Sequence, residues 1–155
     1  MIPKIKKILY TTDLSDNSTY VFRYALNSAQ MHGAKMDMLH VLKPITGTFP
    51  GEGLWVVPQK KEDVLKKIRK RLNDLVNHEF KDDPAKMKKY ISSIEVVEGD
   101  PVIEILRKAD ETKPDILIMG THGKGIVSQT FLGSVVASVL QHTRIPVFVI
   151  PLPKT

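Results

Sequence analysis

Ile116-Leu117-Ile118-Met119, running straight into Gly120-Thr121-His122-Gly123-Lys124-Gly125, is an apolar tetrapeptide that ends in a glycine-rich turn. Four consecutive apolar residues lack the alternation of a half-exposed strand. They suit a strand buried on both faces, as in a parallel sheet. Similar short runs occur at Ile8-Leu9-Tyr10, Met36 to Val41, Ile94 to Val97 and Val147 to Ile150. Between them lie segments of helical period. Ser15 or Asp16 can cap a helix running to about His32, with Gly33 placed as its C-terminal cap. Val64, Leu65, Ile68, Leu72, Leu75 and Val76 form one apolar stripe at spacings of three and four. Asp100-Pro101 is an N-cap followed by proline at the first helical position, and Val102, Ile105, Leu106 and Ala109 give that helix a buried face. Ser134 opens a last helix with Val135, Val136, Val139 and Leu140. Five strands alternating with four helices, without internal repeat, predict a single α/β domain over residues 1–155. It would be an open parallel sheet with right-handed crossovers and helices on both faces. Leu42 to Gln59 carries Pro44, Pro50 and Pro58 with Gly47, Gly51 and Gly53, and reads as a long irregular loop.

The chain has 155 residues, 42% hydrophobic and 26% charged, which fits a globular domain and excludes a disordered one. With no cysteine, thiolate metal sites, disulfides and cysteine nucleophiles are excluded. No apolar run reaches the ~20 residues of a membrane span. Met1 to Lys7 lacks the apolar core of a signal peptide, so a cytoplasmic location is expected. The formal charge is +6, but residues 60–90 hold 11 Lys or Arg against 6 Asp or Glu. That segment alone supplies most of the excess, mixed with acids and with few aromatics. The pattern reads as a solvated helix face rather than a nucleic-acid surface.

In open parallel sheets, ligands bind beyond the carboxyl ends of the strands, where the strand order reverses. After the first strand comes Thr11-Thr12-Asp13; after the fourth come the glycine turn and then Gly133-Ser134. Glycines let a backbone approach an anion, and a helix N-terminus at Ser134 offers unpaired N–H donors and the positive end of its dipole. Asp13 suits sugar hydroxyls, or a divalent cation bridging to phosphates. The turn is not a P-loop, because Lys124 is followed by Gly125, and no GxGxxG follows the first strand. The histidines show no metal-ligand spacing and there is no G-x-S-x-G elbow, so neither structural zinc nor serine-hydrolase chemistry is expected.

Gly120-x-x-Gly123, nine residues, then Gly133-Ser134 resembles the nucleotide-binding signature of the universal stress proteins. The resemblance extends from Lys6 to Ile150 and takes in Thr11-Thr12-Asp13, Leu39-His40-Val41, Glu98-Gly99-Asp100-Pro101 and Pro146 to Ile150. It implies a Rossmann-like fold of strand order 3-2-1-4-5 that binds ATP or AMP, with Mg²⁺ or Mn²⁺ at the phosphates. Carried over by position, Thr12 and Asp13 would form the turn at the ribose or metal-phosphate side. Val41 would meet the adenine through its backbone, and Met119 and Gly120 would line the ribose. Gly123, Gly133, Ser134 and Val135 would hold the phosphates. His122, inside the glycine turn with no partner acid in view, reads as a solvated or phosphate-near histidine rather than a catalytic one. Similar proteins form homodimers through the last strand, here Val147, Phe148, Val149 and Ile150. The implied function is a nucleotide-dependent dimeric switch in a stress response; the alternative is a slow ATPase or nucleotidyl-transfer enzyme.

Overall fold

The computed structural model describes residues 1–44, 47–49, 52–55, 58–121 and 132–153. The elements in chain order are β1 (Lys7–Thr11), α1 (Ser18–His32), β2 (Lys35–Leu42), β3 (Gly47–Phe49), β4 (Glu52–Trp55), α2 (Pro58–Glu79), α3 (Pro84–Tyr90), β5 (Ile91–Glu98), α4 (Pro101–Thr112), β6 (Ile116–Gly120), α5 (Ser134–His142) and β7 (Val147–Ile150). One sheet has the order β5-β2-β1-β6-β7, with every pairing parallel. Counting only its own strands, that order is 3-2-1-4-5, the order that the resemblance implies. The reversal falls between β1 and β6.

Residue alternation along the strands feeds two cores. Ile8, Tyr10, Met36, Met38, Ile118 and Ile150 face the layer built by α1 and α2, where Phe22, Ala25, Leu72 and Val76 are buried. Leu9, Leu39, Leu117 and Met119 face the other layer, packed by Ile105 and Ala109 of α4 and by Val136 and Val139 of α5. Both faces of the central strands are therefore dry, which is why Ile116 to Met119 needs no polar alternation.

Several local expectations hold. Gly33 ends α1 in the left-handed region at φ 62°, and its N–H reaches back to the α1 carbonyls. Asp100 caps α4, its carboxylate accepting the Ile103 N–H at 3.0 Å. Others are corrected. The residue before α1 is Asn17, not Ser15 or Asp16, and it makes no side-chain cap. The Ser15 N–H is instead taken by Asp13, so the chain completes a turn before the helix starts. The segment from Leu42 to Gln59 is not irregular throughout. Its described residues form an antiparallel hairpin of β3 and β4, and α2 already begins at Pro58. Proline at a first helical position loses no hydrogen bond, so Pro58 starts a helix where it was read as part of a loop. Short α3 was missed, although Asp83-Pro84 repeats the pattern of Asp100-Pro101. Strand β5 starts at Ile91 rather than Ile94. Its polar start is explained by Ser93, whose Oγ–H donates to Asp37 Oδ1 at 2.6 Å on neighbouring β2.

Candidate functional site

The carboxyl ends of β1, β2 and β6 open on a cavity of about 400 Å³, within the range of small-molecule sites. The turn leaving β1 forms its polar wall. Thr12 is fixed at both ends of its peptide: its N–H donates to the Leu39 carbonyl at 3.0 Å, and its carbonyl is 2.8 Å from His40 Nδ1. A carbonyl can only accept, so Nδ1 carries the proton in that contact. The Thr12 hydroxyl oxygen then accepts the Leu14 N–H at 3.1 Å, and Asp13 Oδ1 accepts the Ser15 N–H at 3.0 Å.

These bonds leave one group over. Asp13 Oδ2 is buried and has no hydrogen-bond partner among the described residues. A buried carboxylate oxygen without a partner is costly to the fold, and such groups mark sites completed by something else. Beneath it, Tyr10 is fully buried and its hydroxyl donates to the Ser18 carbonyl at 3.3 Å. Burial pushes the Tyr10 phenol well above its ordinary range; the Thr12 hydrogen bond opposes this and the Asp13 charge adds to it. Tyr10 therefore stays neutral and serves as a donor.

The other walls differ in character. Leu39, Val41, Ile105, Met119 and Val136 give an apolar side, to which Pro101 brings the start of α4. Opposite the β1 turn, Gly120, Gly133, Ser134 and Val135 supply backbone. A Cβ on Gly120 would stand 3.2 Å from Val21 Cγ2, a tight contact that Val21 must yield to by a few tenths of an ångström. The Gly133 N–H donates to the Thr121 carbonyl at 2.8 Å, while the Thr121 N–H donates to Ile150 at 3.0 Å. These bonds seat the start of α5 on the ends of β6 and β7. Ser134 and Val135 occupy the first helical turn, where no intrahelical carbonyl can take their N–H groups.

Of the ten residues singled out in the sequence, Thr12, Asp13, Val41, Met119, Gly120, Gly133, Ser134 and Val135 all line this one cavity. His122 and Gly123 lie outside the described residues. Sequence reading missed Tyr10 and His40, which hold the Asp13 turn from below and from the side. His40 had a signal, because it stands at the carboxyl end of a strand beside the site. It also missed Pro101 and Ile105, although the helix after the third sheet strand must open on the same edge.

The arrangement fits a nucleotide: a slot with an apolar side, one partnerless carboxylate oxygen and a helix start. It fits a protein-held metal less well. Asp13 is the single carboxylate among the lining residues, and no group of three or more His, Asp or Glu able to hold a metal occurs among the described residues. A cation there would depend on oxygens of a bound ligand.

The chain matches the universal stress protein family over residues 4–151. It is 31% identical to a universal stress protein of Methanocaldococcus jannaschii, over 96% of this chain and 84% of that protein. Its fold superposes on the universal stress protein UspA of Lactobacillus plantarum with a TM-score of 0.76 at 21% identity, covering 96% and 99% of the two chains. A universal stress protein solved in complex with cAMP gives a TM-score of 0.62 at 21% identity, covering 96% and 98%. Spanning almost the whole chain in sequence and in fold, these likenesses place the protein in the universal stress protein family.

Proposed function

We propose that this chain binds an adenine nucleotide, ATP or AMP, in the cavity at the carboxyl edge of the sheet, and works as a nucleotide-dependent dimeric switch. The observation that carries the reading is the pairing of two unfilled features in one cavity. One is the buried, partnerless Oδ2 of Asp13; the other is the glycine-flanked first turn of α5. A ribose hydroxyl answers the first and a phosphate answers the second. The complex of a fold relative with cAMP supports the nucleotide class.

In this reading the apolar side holds the base, with the Val41 backbone supplying its polar contacts. Met119 and Gly120 line the ribose, and the Thr12–Asp13 turn takes its hydroxyls or a cation at the phosphates. Ser134 donates through its N–H and hydroxyl, and Val135 through its N–H. Gly133 contributes close backbone approach, since its own N–H is engaged by Thr121. His122 and Gly123 complete the phosphate edge. A bound Mg²⁺ or Mn²⁺ would neutralise phosphate charge, held by Asp13 and phosphate oxygens. The last strand pairs two copies, so the site communicates with the dimer surface through the end of β7, where Ile150 accepts the Thr121 N–H.

Calorimetric titration of the purified chain with ATP and AMP, each with Mg²⁺, tests the site. Asp13→Asn should weaken binding by about tenfold, the weight of a charge-assisted hydrogen bond. It should leave the thermal midpoint unchanged or raised, because it replaces a buried carboxylate oxygen that has no partner among the described residues. Equal affinity of both proteins would remove Asp13 from the site. Hydrogen exchange of the ATP-bound, AMP-bound and empty forms tests the switch; identical patterns in all three would end it, since a ligand shifts conformation only by its differential affinity.

A further inference from the structure

The turn that presents Asp13 contains a strained residue, and α2 reaches across to hold it. Leu14 is buried, 3% exposed, and stands in the left-handed region at φ 57°. A branched apolar residue adopts that conformation only when its surroundings impose it. Its N–H is tied to the Thr12 hydroxyl, and its carbonyl accepts a hydrogen bond from Arg71 Nη2 at 2.6 Å. The two residues are 57 positions apart. Arg71 sits next to Leu72, which with Ile68, Leu75 and Val76 buries α2 in the same core as Leu14. That packing fixes where the helix lies, and therefore where the guanidinium can reach.

We propose that Arg71 is a positioning residue of the site. By clamping the Leu14 carbonyl it holds residues 12–15 in the strained turn, and so holds the Asp13 carboxylate with Oδ1 spent on Ser15 and Oδ2 left for a ligand. The basic stretch around Arg71 first read as a solvated helix face. One member of it, itself exposed, reaches from α2 to the turn beside the cavity and acts through Leu14 and Asp13. A charged donor on a carbonyl is stronger than a neutral one, which suits a contact that must offset backbone strain. The effect on binding rests on the adenine-nucleotide reading; the effect on the turn does not.

Arg71→Met keeps the helix and the aliphatic stem and removes the donor. The first readout is amide exchange in the ligand-free protein. The N–H groups of Leu14 and Ser15, both bonded inside the turn, should exchange roughly tenfold faster, while core amides of β1 and β2 keep their rates. The second is a double-mutant cycle on ATP affinity. Arg71→Met should weaken binding about tenfold alone, and by less than about twofold when Asp13→Asn is already present. Unchanged exchange at both amides would overturn the proposal. So would an undiminished penalty in the Asp13→Asn background, which would mean that Arg71 acts on the ligand by another route. A wild-type protein that binds no adenine nucleotide would overturn the functional reading alone, and the exchange result would still decide the role of Arg71.

Discussion

Gly120 lacks a Cβ, and one placed there would press on Val21 of α1 at 3.2 Å. Gly120→Ala should therefore cost about 1 kcal/mol through overpacking and lower the thermal midpoint by about 2–4 °C. An unchanged midpoint would show that Val21 relaxes freely. The requirement was only partly legible in the sequence. A glycine after an apolar strand signals close approach by something, but not whether a ligand or a neighbouring helix is the party concerned. Asp13 was legible by position, as the acid following the first strand. Its orphaned oxygen was not, because that depends on Thr12 and Ser15 in the turn itself, His40 of β2 and Arg71 of α2. Gly133 shows the reverse case. The motif fixes its place at the start of α5, and only the hydrogen bond to Thr121 shows that its N–H is already used.

Among the elements, those marked by local chemistry were readable and those set by distant partners were not. Gly33 and Asp100-Pro101 announce helix ends through rules internal to a few residues. The start of α1 could not be read so, because Asp13 accepts the Ser15 N–H and the Ser15 carbonyl accepts the Ser18 N–H, so the chain makes a turn before the helix begins. Strand β5 was shortened in the sequence reading because Ser92-Ser93 look unlike a strand; the partner that makes Ser93 acceptable, Asp37, lies 56 residues away. Asp115 supplies a testable tie of the same non-local kind. Its carboxylate accepts the N–H groups of Lys6 and Lys7 at 2.8 and 2.9 Å, joining the entry of β1 to the entry of β6. Those backbone bonds hold its carboxyl below the ordinary range. Its stabilising contribution is thus fully present above the usual carboxylate value of about 3.9 and is lost as pH falls through the lower folded value. In thermal melts from pH 7 to pH 2, Asp115→Asn should be less stable than the wild type at neutral pH, with the difference shrinking below about pH 4. A difference that stays constant with pH would contradict this tie.

For the whole molecule, the parallel sheet follows from alternating strands and helices, its order from the family resemblance, and the buried Leu117 to Met119 require helices on both faces. No helix among the described residues is long and apolar enough to cross a membrane. The edge strand β7 leaves Phe148 39% exposed, beside a row of unpaired backbone groups that a second copy can meet. The proposed dimer through this strand predicts that the wild type sediments as a dimer and Phe148→Asp as a monomer in sedimentation velocity. A variant that still sediments as a dimer would move the interface elsewhere. The cavity is shared by the ends of β1, β2 and β6 and the starts of α4 and α5, so it forms only when the sheet is complete. The central claim is that an adenine nucleotide belongs there. Denaturing the purified protein and identifying released small molecules by chromatography and mass spectrometry tests it most directly. The account predicts ATP or AMP approaching one per chain, or stoichiometric uptake of ATP with Mg²⁺ by protein that was purified empty. Protein that releases no nucleotide and takes up none would contradict it.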